Sequence, residues 1–194
     1  MKNTLKQFAF LFAAIIAGPI TIIYLLLYVI FKSDELFVSF AQLLSLLPSK
    51  IGCYLRAGFY RFTMTNCSKD AVISFLVLFS QKSTEISPGV YIGPQSNIGM
   101  CAIGKNTILG SGVHIMSGKG QHNFSDLSKP IKDQGGVFEK ITIGEGTWIG
   151  NGALIMANIG KNCVVAAGSV VINNVEDFAI VAGNPAKVIK NRHE

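Results

Sequence analysis

Aliphatic residues recur at every sixth position along two stretches of the chain, residues 86–115 and 143–175. A glycine directly follows most of these lead residues, and a small or β-branched residue stands four places after most of them. The lead residues are Ile86, Ile92, Ile98, Ile103, Leu109, Ile115, Ile143, Ile149, Ile155, Ile159, Val165 and Val171. The residues four places later are Val90, Ser96, Ala102, Thr107, Val113, Thr147, Ala153, Cys163 and Ser169. A period of six indicates a repeat architecture rather than ordinary alternating strands.

This repeat predicts a left-handed parallel β-helix in which each hexad forms one flat face of a triangular coil. The lead residue points inward and stacks on its equivalents in the neighbouring coils, about 4.8 Å away. The residue four places later also points inward near the corner, so it must be small. Glycine and asparagine tolerate the unusual backbone angles of the corners. The chain is therefore predicted to be mainly β, with the β-helix over residues 81–185.

The period breaks between residues 116 and 140, which are rich in glycine and polar residues and include Pro130. We expect this segment to leave the β-helix as an extruded loop. A long loop on a compact domain is more often functional than decorative. A smaller irregularity lies between Ile155 and Ile159, where four residues replace six and one corner is trimmed.

An uncharged apolar stretch, residues 8–31, lies near the start of the chain. It is long enough for a transmembrane helix, which needs about 20 residues. Lys32, Asp34 and Glu35 follow it instead of a small-residue cleavage site. This favours a retained membrane anchor over residues 1–35 rather than a signal peptide.

The orientation of this anchor is a difficulty, because two lysines precede it and favour a cytoplasmic start. A single span would then place the rest of the chain outside the cytoplasm. Two features could resolve this difficulty. Gly18-Pro19 could kink the helix or turn it back to the side where it began, or Leu36–Leu47 could help to return the chain to that side. Residues 36–80 are predicted to be an amphipathic, helical region, with Ile51–Phe62 either interfacial or packed on the end of the β-helix.

Composition narrows the class of protein. Hydrophobic residues make up 49% of the chain and charged residues 14%, and the formal net charge is +6. The positive charges are scattered, without a basic block interleaved with aromatics, so nucleic-acid binding is not expected. A basic face against anionic lipid is favoured instead.

The four cysteines form no CxxC pair and are expected to be reduced. Residues 186–194 are predicted to form a basic tail.

Several segments carry a resemblance to a known family. They are SGVHIMSGKGQHNFSDLSKPI, ITIGEGTWIGNGALIMANIGKNCVVAAGSVV and VAGNPAKVIK, with LSLLPSKIGCYLRAGFYR upstream. From about Leu43 to Arg192 the chain resembles the hexapeptide-repeat O-acetyltransferases of bacterial surface-polysaccharide synthesis, of the colanic-acid type. The resemblance implies a homotrimer with active sites between subunits and acetyl-CoA, without a metal, as the donor. The implied acceptor is a sugar hydroxyl of a surface polysaccharide or of its lipid-linked precursor.

The resemblance also implies roles for individual residues. His122 lies in the interrupted segment, where the family carries its catalytic histidine. The positions implied to bind acetyl-CoA are Trp148, Asn151, Ala167, Lys187 and Lys190. Weaker expectations for substrate binding fall on Asn97, His114 and Asp126; the last of these either orients His122, binds the acceptor or is a solvated loop carboxylate.

The chemistry of acetyl transfer agrees with these assignments. A sugar hydroxyl is a poor nucleophile at neutral pH and needs a general base, which an imidazole supplies. Alternatives are an acetyltransferase acting on serine or an antibiotic, a non-catalytic scaffold, and a β-helical carbonic anhydrase. The last needs three histidines around zinc, whereas His114, His122 and His193 are unsuitably spaced. The expected location is the bacterial inner membrane, with the catalytic domain on the cytoplasmic face.

Overall fold

The computed structural model describes the backbone of residues 2–193 and the side chains of residue 8 and residues 10–193. The chain begins with three helices, α1 (Lys2–Phe31), α2 (Asp34–Ser45) and α3 (Ser49–Thr63). Ser33 caps α2 by accepting a hydrogen bond from the Glu35 N–H at 3.1 Å. The acidic residues of this first turn suit the positive end of the helix dipole.

Sixteen short strands follow. They are β1 (Asn66–Cys67), β2 (Val72–Ile73), β3 (Leu78–Phe79), β4 (Glu85–Ile86), β5 (Tyr91–Ile92), β6 (Asn97–Ile98), β7 (Cys101–Ile103), β8 (Ile108–Leu109), β9 (His114–Ile115), β10 (Ile141–Ile143), β11 (Trp148–Ile149), β12 (Leu154–Ile155), β13 (Val164–Val165), β14 (Val170–Val171), β15 (Ala179–Gly183) and β16 (Ala186–Asn191). A single 3-10 turn, Ile131–Asp133, lies between β9 and β10.

The strands form the three faces of a parallel solenoid of about six turns, and this confirms the predicted parallel β-helix. Face A carries β1, β4, β7 and β10, and isolated bridges at Ile159 and Val175 continue it. Face B carries β2, β5, β8, β11, β13 and β15, with β16 at its end. Face C carries β3, β6, β9, β12 and β14. Every pair is parallel except β15 with β16.

The lead residues of the hexads form the core, as the period predicted. All twelve are buried, and residues four places later, such as Val113 and Thr147, line the corners. Ala102 is an exception, because the one-residue slip in the repeat places Cys101 inward instead. Cys101 pairs in register with Ile141, which is also buried.

The solenoid begins earlier than the predicted boundary at residue 81. Cys67, Ile73 and Phe79 occupy the inward positions of a first turn that β1, β2 and β3 build. The sequence predicted helix up to residue 80, but α3 ends at Thr63. These first hexads lack the glycine after the lead residue, and their lead residues include a cysteine and a phenylalanine, which hid the period.

The helices close the end of the solenoid and form one unit, which we call the helical cap (α1, α2 and α3). Helix α2 contacts β3, and α3 contacts β1 and β2. The Leu76 N–H donates to the Ser45 carbonyl at 3.0 Å and joins α2 to the first turn. Of the two alternatives for Ile51–Phe62, packing on the end of the β-helix is therefore the one observed.

Helix α1 packs on α3 through a stripe of residues spaced three or four apart. The buried members of this stripe are Phe10, Ala13, Ala17, Thr21 and Tyr24. A Cβ on Gly58 would lie 3.1 Å from the Ala13 carbonyl oxygen, so the two backbones approach closely there. Gly18-Pro19 does not turn the chain back, because α1 continues through an exposed Pro19.

The C-terminal segment is a strand rather than a free basic tail. Strand β16 folds back on β15 in an antiparallel pair. The Arg192 N–H donates to the Phe178 carbonyl at 2.8 Å, and Phe178 stacks on His193 with ring centroids 4.3 Å apart. The end of the solenoid is thereby covered by its own chain.

Close stacking of coils makes a glycine substitution a direct test of the fold. A Cβ on Gly104 would lie 2.5 Å from the Glu145 nitrogen and 2.8 Å from its Cα. We expect Gly104→Ala to lower the free energy of unfolding by about 3 kcal/mol, because two backbone segments must separate. Gly120→Ala is the matched control, since its Cβ would come no nearer than 3.7 Å to the Val137 carbonyl oxygen. Equal thermal stability of the two variants would contradict the prediction.

Candidate functional site

A groove on face B brings together three of the five residues predicted to bind the cofactor. Trp148, Asn151 and Ala167 line it, together with Val164 and Ala166. The Trp148 side chain is 54% exposed, although it stands directly before the fully buried Ile149. Strand alternation explains this, because successive side chains of β11 point to opposite faces.

Asn151 also has a structural role. Its Oδ1 accepts a hydrogen bond from the Ser111 N–H at 3.0 Å, which ties the corner of one coil to the next. Such a bond satisfies a corner N–H that the parallel ladder leaves without a partner. The amide nitrogen of Asn151 is the end of this side chain that is left to meet a ligand.

Lys187 and Lys190 lie at the end of the same face. In the β15–β16 pair, Lys187 is opposite Ala182 and Lys190 is opposite Ile180. Both lysines are exposed. Face B thus offers an aromatic ring and small residues near its middle and two cations at its end, and this order suits a long ligand with phosphates at one extremity.

A second groove, on face C, brings together two of the residues predicted to bind substrate. Asn97 and His114 are register partners in the β6–β9 pair, and both side chains are exposed. Gln121 from the extruded loop and Leu154 of β12 also line this groove. Sequence reasoning missed Gln121, whose only signal was its position next to His122.

The extruded loop, residues 116–140, folds on itself as two facing arms. The Asn123 N–H donates to the Gly135 carbonyl at 2.8 Å, and the Val137 N–H donates to the Gly120 carbonyl at 2.7 Å. His122 lies between these two hydrogen bonds, and its side chain is exposed. Because Gln121 lines the face C groove, the backbone of His122 lies at the border of that groove.

Asp126 does not contact His122 in the structure. Its Oδ1 accepts hydrogen bonds from the Ser128 hydroxyl at 2.6 Å and the Ser128 N–H at 3.0 Å. An ion pair joins its Oδ2 to the Lys129 ammonium at 3.3 Å. The hydrogen bonds from Ser128, and then the one from Lys129, lower the pKa of the Asp126 carboxyl. This carboxylate therefore organises its own turn of the loop.

Known proteins with similar sequences are acetyltransferases. Probable acetyltransferase Rv3034c of Mycobacterium tuberculosis is 41% identical over 73 residues, which are 37% of this chain and 24% of that protein. The putative lipopolysaccharide biosynthesis O-acetyl transferase WbbJ of Escherichia coli is 29% identical over 126 residues, 61% of this chain and 63% of that one. Serine acetyltransferase 2 of Arabidopsis thaliana is 35% identical over 117 residues, 55% and 34% of the two chains. No family model matches the sequence.

Solved structures share the fold of this chain. A maltose O-acetyltransferase from Clostridium difficile superposes with a TM-score of 0.63 at 21% identity, over 84% of this chain and 88% of that one. A galactoside acetyltransferase in complex with coenzyme A gives a TM-score of 0.56 at 19% identity, over 82% and 80%.

The repeat, the solenoid fold and the sequence relatives fit the hexapeptide-repeat acetyltransferases. The relatives supply what the fold alone could not. The chain spans about a quarter, 24%, of the length of the mycobacterial relative. The reaction of this chain is therefore proposed below.

The three buried cysteine thiols, those of Cys67, Cys101 and Cys163, are poorly suited to carry an acyl group. Burial raises the pKa of Cys67 and of Cys101 to about 12, so both stay protonated at neutral pH. Burial also raises the pKa of Cys163. Across residues 2–193, no three His, Cys, Asp or Glu side chains come together as a zinc site of the carbonic anhydrase kind would need.

Proposed function

We propose that this protein transfers an acetyl group from acetyl-CoA to a sugar hydroxyl of a bacterial surface polysaccharide or of its lipid-linked precursor. The observation that carries the proposal is the similarity to WbbJ, which extends over 61% of this chain and 63% of that protein. A second support is the apolar stretch Phe10–Phe31, which by length and composition could meet a membrane where lipid-linked glycans are held.

His122 is proposed as the general base. Its imidazole takes the proton of the acceptor hydroxyl while the oxygen attacks the carbonyl carbon of the thioester. The tetrahedral intermediate collapses by breaking the carbon–sulfur bond, and the imidazolium returns the proton to the leaving CoA thiolate. The exposed position of His122 beside the face C groove gives an acceptor sugar access to it.

Acetyl-CoA is proposed to lie along face B. Trp148 and Ala167 offer apolar contact to its acyl and pantetheine parts, and the free amide nitrogen of Asn151 offers a donor. Lys187 and Lys190 would meet its phosphates as point charges. Asn97 and His114, on face C, would hold the acceptor.

The two grooves lie on different faces of one chain, and this supports the proposal of a homotrimer. Face B also exposes apolar side chains in the same row as Trp148, namely its register partner Ile108 at 49% and, next to Ile108, Tyr91 at 39%. An exposed apolar row of this kind suits contact with another subunit. In such an assembly the cofactor groove of one subunit would meet the acceptor groove of its neighbour.

The proposed location is the inner membrane of a bacterium, with the solenoid on the cytoplasmic face, where acetyl-CoA is available. The net charge of +6 agrees with contact to anionic lipid.

The decisive experiment compares the surface polysaccharide of cells with and without the gene by mass spectrometry. We expect a sugar unit that is heavier by one acetyl group only where the gene is present, and loss of this increment in His122→Ala. The purified full chain is then assayed for CoA release with glycan, serine and antibiotic acceptors. Transfer to serine alone, the activity that the Arabidopsis relative's name suggests, would overturn the polysaccharide proposal.

Substitution of Trp148 tests the proposed cofactor groove. We expect Trp148→Ala to raise the KM for acetyl-CoA about tenfold, because an exposed indole contributes on the order of 1.4 kcal/mol of contact to a bound ligand. Phe138→Ala is the control, since this equally exposed aromatic residue lies in the extruded loop. An unchanged KM in steady-state assays would exclude the groove from cofactor binding.

A further inference from the structure

Helix α1 is apolar on both of its sides. Its inner stripe packs on α3, while the opposite side exposes large apolar residues from Phe8 to Ile30. These are Phe8, Leu11, Phe12, Ile15, Ile16, Ile22, Ile23, Leu26, Val29 and Ile30, which we call the outer face of α1. A helix that is hydrophobic all round is either a core helix or a membrane helix, so the outer face needs an apolar partner.

Two points of α1 lie near the first turn of the solenoid. At one of them, Phe10 lines a cleft with Tyr54 of α3 and Val72 of β2. Near its end, the Tyr28 ring lies 4.1 Å from the ammonium of Lys82, and the Lys82 carbonyl accepts the Thr65 N–H just before β1. Phe10 and Tyr28 are about 27 Å apart along the helix axis. The stretch of α1 between them therefore lies across the end of the solenoid.

A helix that crossed a bilayer would have to carry one of its ends away from the solenoid. We propose that α1 instead lies in the plane of the membrane, with its outer face embedded in one leaflet of an anionic bilayer. The solenoid then stands on this leaflet, and the start of the chain and the solenoid lie on the same side. This deepens the proposed membrane association, on which it rests, and removes the conflict between a cytoplasmic start and a cytoplasmic catalytic domain.

The cations around α1 fit this arrangement. Lys32 follows the end of α1, and Lys50 lines the cleft beside Phe10, so a positive charge lies near each end of the Phe10–Phe31 stretch. Both lysines are exposed. In-plane binding puts both at the headgroup level of the same leaflet, where Lys residues gain from anionic lipid. The negative charges of Asp34 and Glu35 offset part of the positive charge near Lys32. They do not offset the positive charge of Lys50.

The depth of single tryptophans in a bilayer tests the arrangement. The chain contains one tryptophan, so Trp148→Phe provides a background for Phe12→Trp, Ile23→Trp and Ile30→Trp, three positions on the outer face. The full chain is bound to vesicles of phosphatidylglycerol and phosphatidylcholine that are brominated near the headgroups or near the chain ends. Phe138→Trp in the extruded loop, which is similarly exposed, is the control.

We expect all three tryptophans to be quenched more by the shallow bromines, with shallow-to-deep ratios that agree within about twofold, and the control to be unquenched. Deep quenching at Ile23→Trp with shallow quenching at the other two positions would reveal a span and overturn the in-plane arrangement alone. Bound protein without quenching, or a stable dimer buried through α1, would assign the outer face to another partner. Failure to bind vesicles would overturn the membrane association as well, while the acetyl-transfer assay judges the reaction separately.

The anionic component is tested by charge reversal. We expect Lys32→Glu with Lys50→Glu to weaken binding to phosphatidylglycerol vesicles about 25-fold, about fivefold for each lysine, and to leave binding to pure phosphatidylcholine unchanged. Lys105→Glu with Lys132→Glu, two exposed lysines of the solenoid and its loop, is the matched control. Equal loss in both pairs would show a nonspecific charge effect and refute the role of the cations around α1.

Discussion

Replacing His122 with alanine is expected to lower kcat for acetyl transfer by about 10²–10⁴-fold, the range for loss of a general base. The KM for acetyl-CoA should change little, because the proposed cofactor groove lies on another face of the solenoid. Stability should also be unchanged, since the His122 side chain is exposed and its loop is closed by backbone hydrogen bonds on either side. Steady-state measurement of CoA release with a glycan acceptor gives both constants.

Two other histidines serve as comparisons for His122. His193→Ala should retain full activity, because this exposed residue stacks on Phe178 at the far end of the solenoid. His114→Ala should raise the KM for the acceptor with a smaller effect on kcat, as expected of a residue that holds the sugar. A full kcat in His122→Ala, together with a large loss in His114→Ala, would move the role of base from the loop to β9.

The second large effect concerns stability. Arg56 of α3 is completely buried, and its guanidinium is held by three backbone carbonyls. Its Nε donates to Ile73 at 2.9 Å, and its Nη1 donates to Leu44 at 3.0 Å and to Leu47 at 2.7 Å. The Leu44 carbonyl belongs to the last turn of α2, whose dipole favours a cation, and Leu47 directly follows the C-cap of this helix. Arg56 thus joins α2, α3 and the first turn of the solenoid.

We expect Arg56→Met to lower the free energy of unfolding by about 3–5 kcal/mol, because it leaves three buried carbonyls without their donor. For a chain of this size the apparent Tm should fall by roughly 10 °C. Arg61→Met on the same helix is the control; Arg61 is half-buried and lies over the Phe62 ring at 4.8 Å. Thermal unfolding followed by circular dichroism compares the two, and similar Tm values would show that the Arg56 hydrogen bonds add little.

The different fates of these two arginines show where sequence reasoning stopped. Arg56 and Arg61 stand among aromatic residues, and the sequence assigned both to a segment that was either interfacial or packed on the end of the β-helix. Burial of Arg56 depends on carbonyls that α2 and β2 bring together from elsewhere in the chain. A local pattern contains no information about such acceptors, so only the packed structure separates the two residues.

The first turn of the solenoid was missed for a related reason. In the later turns, most aliphatic lead residues are followed by glycine, and this sequence pattern repeats often enough to be recognised. In the first turn, Cys67 and Phe79 take lead positions, and their inward orientation is imposed by stacking on the next turn and by the helices above. The slip at Cys101 is similar, since only pairing with Ile141 shows which residue points inward.

The sequence by itself determined the solenoid, its core positions and the place where the chain leaves it, because a six-residue period is local and each repeat reinforces the next. It also placed three of the residues proposed to bind the cofactor close together, since Trp148, Asn151 and Ala167 lie on two consecutive coils beside one face. Tertiary structure alone decided that the groove proposed to hold the acceptor lies on another face and that the stretch of α1 from Phe10 to Tyr28 runs across the end of the solenoid. Both depend on contacts between segments far apart in the chain, and hydrophobic periodicity does not encode such contacts.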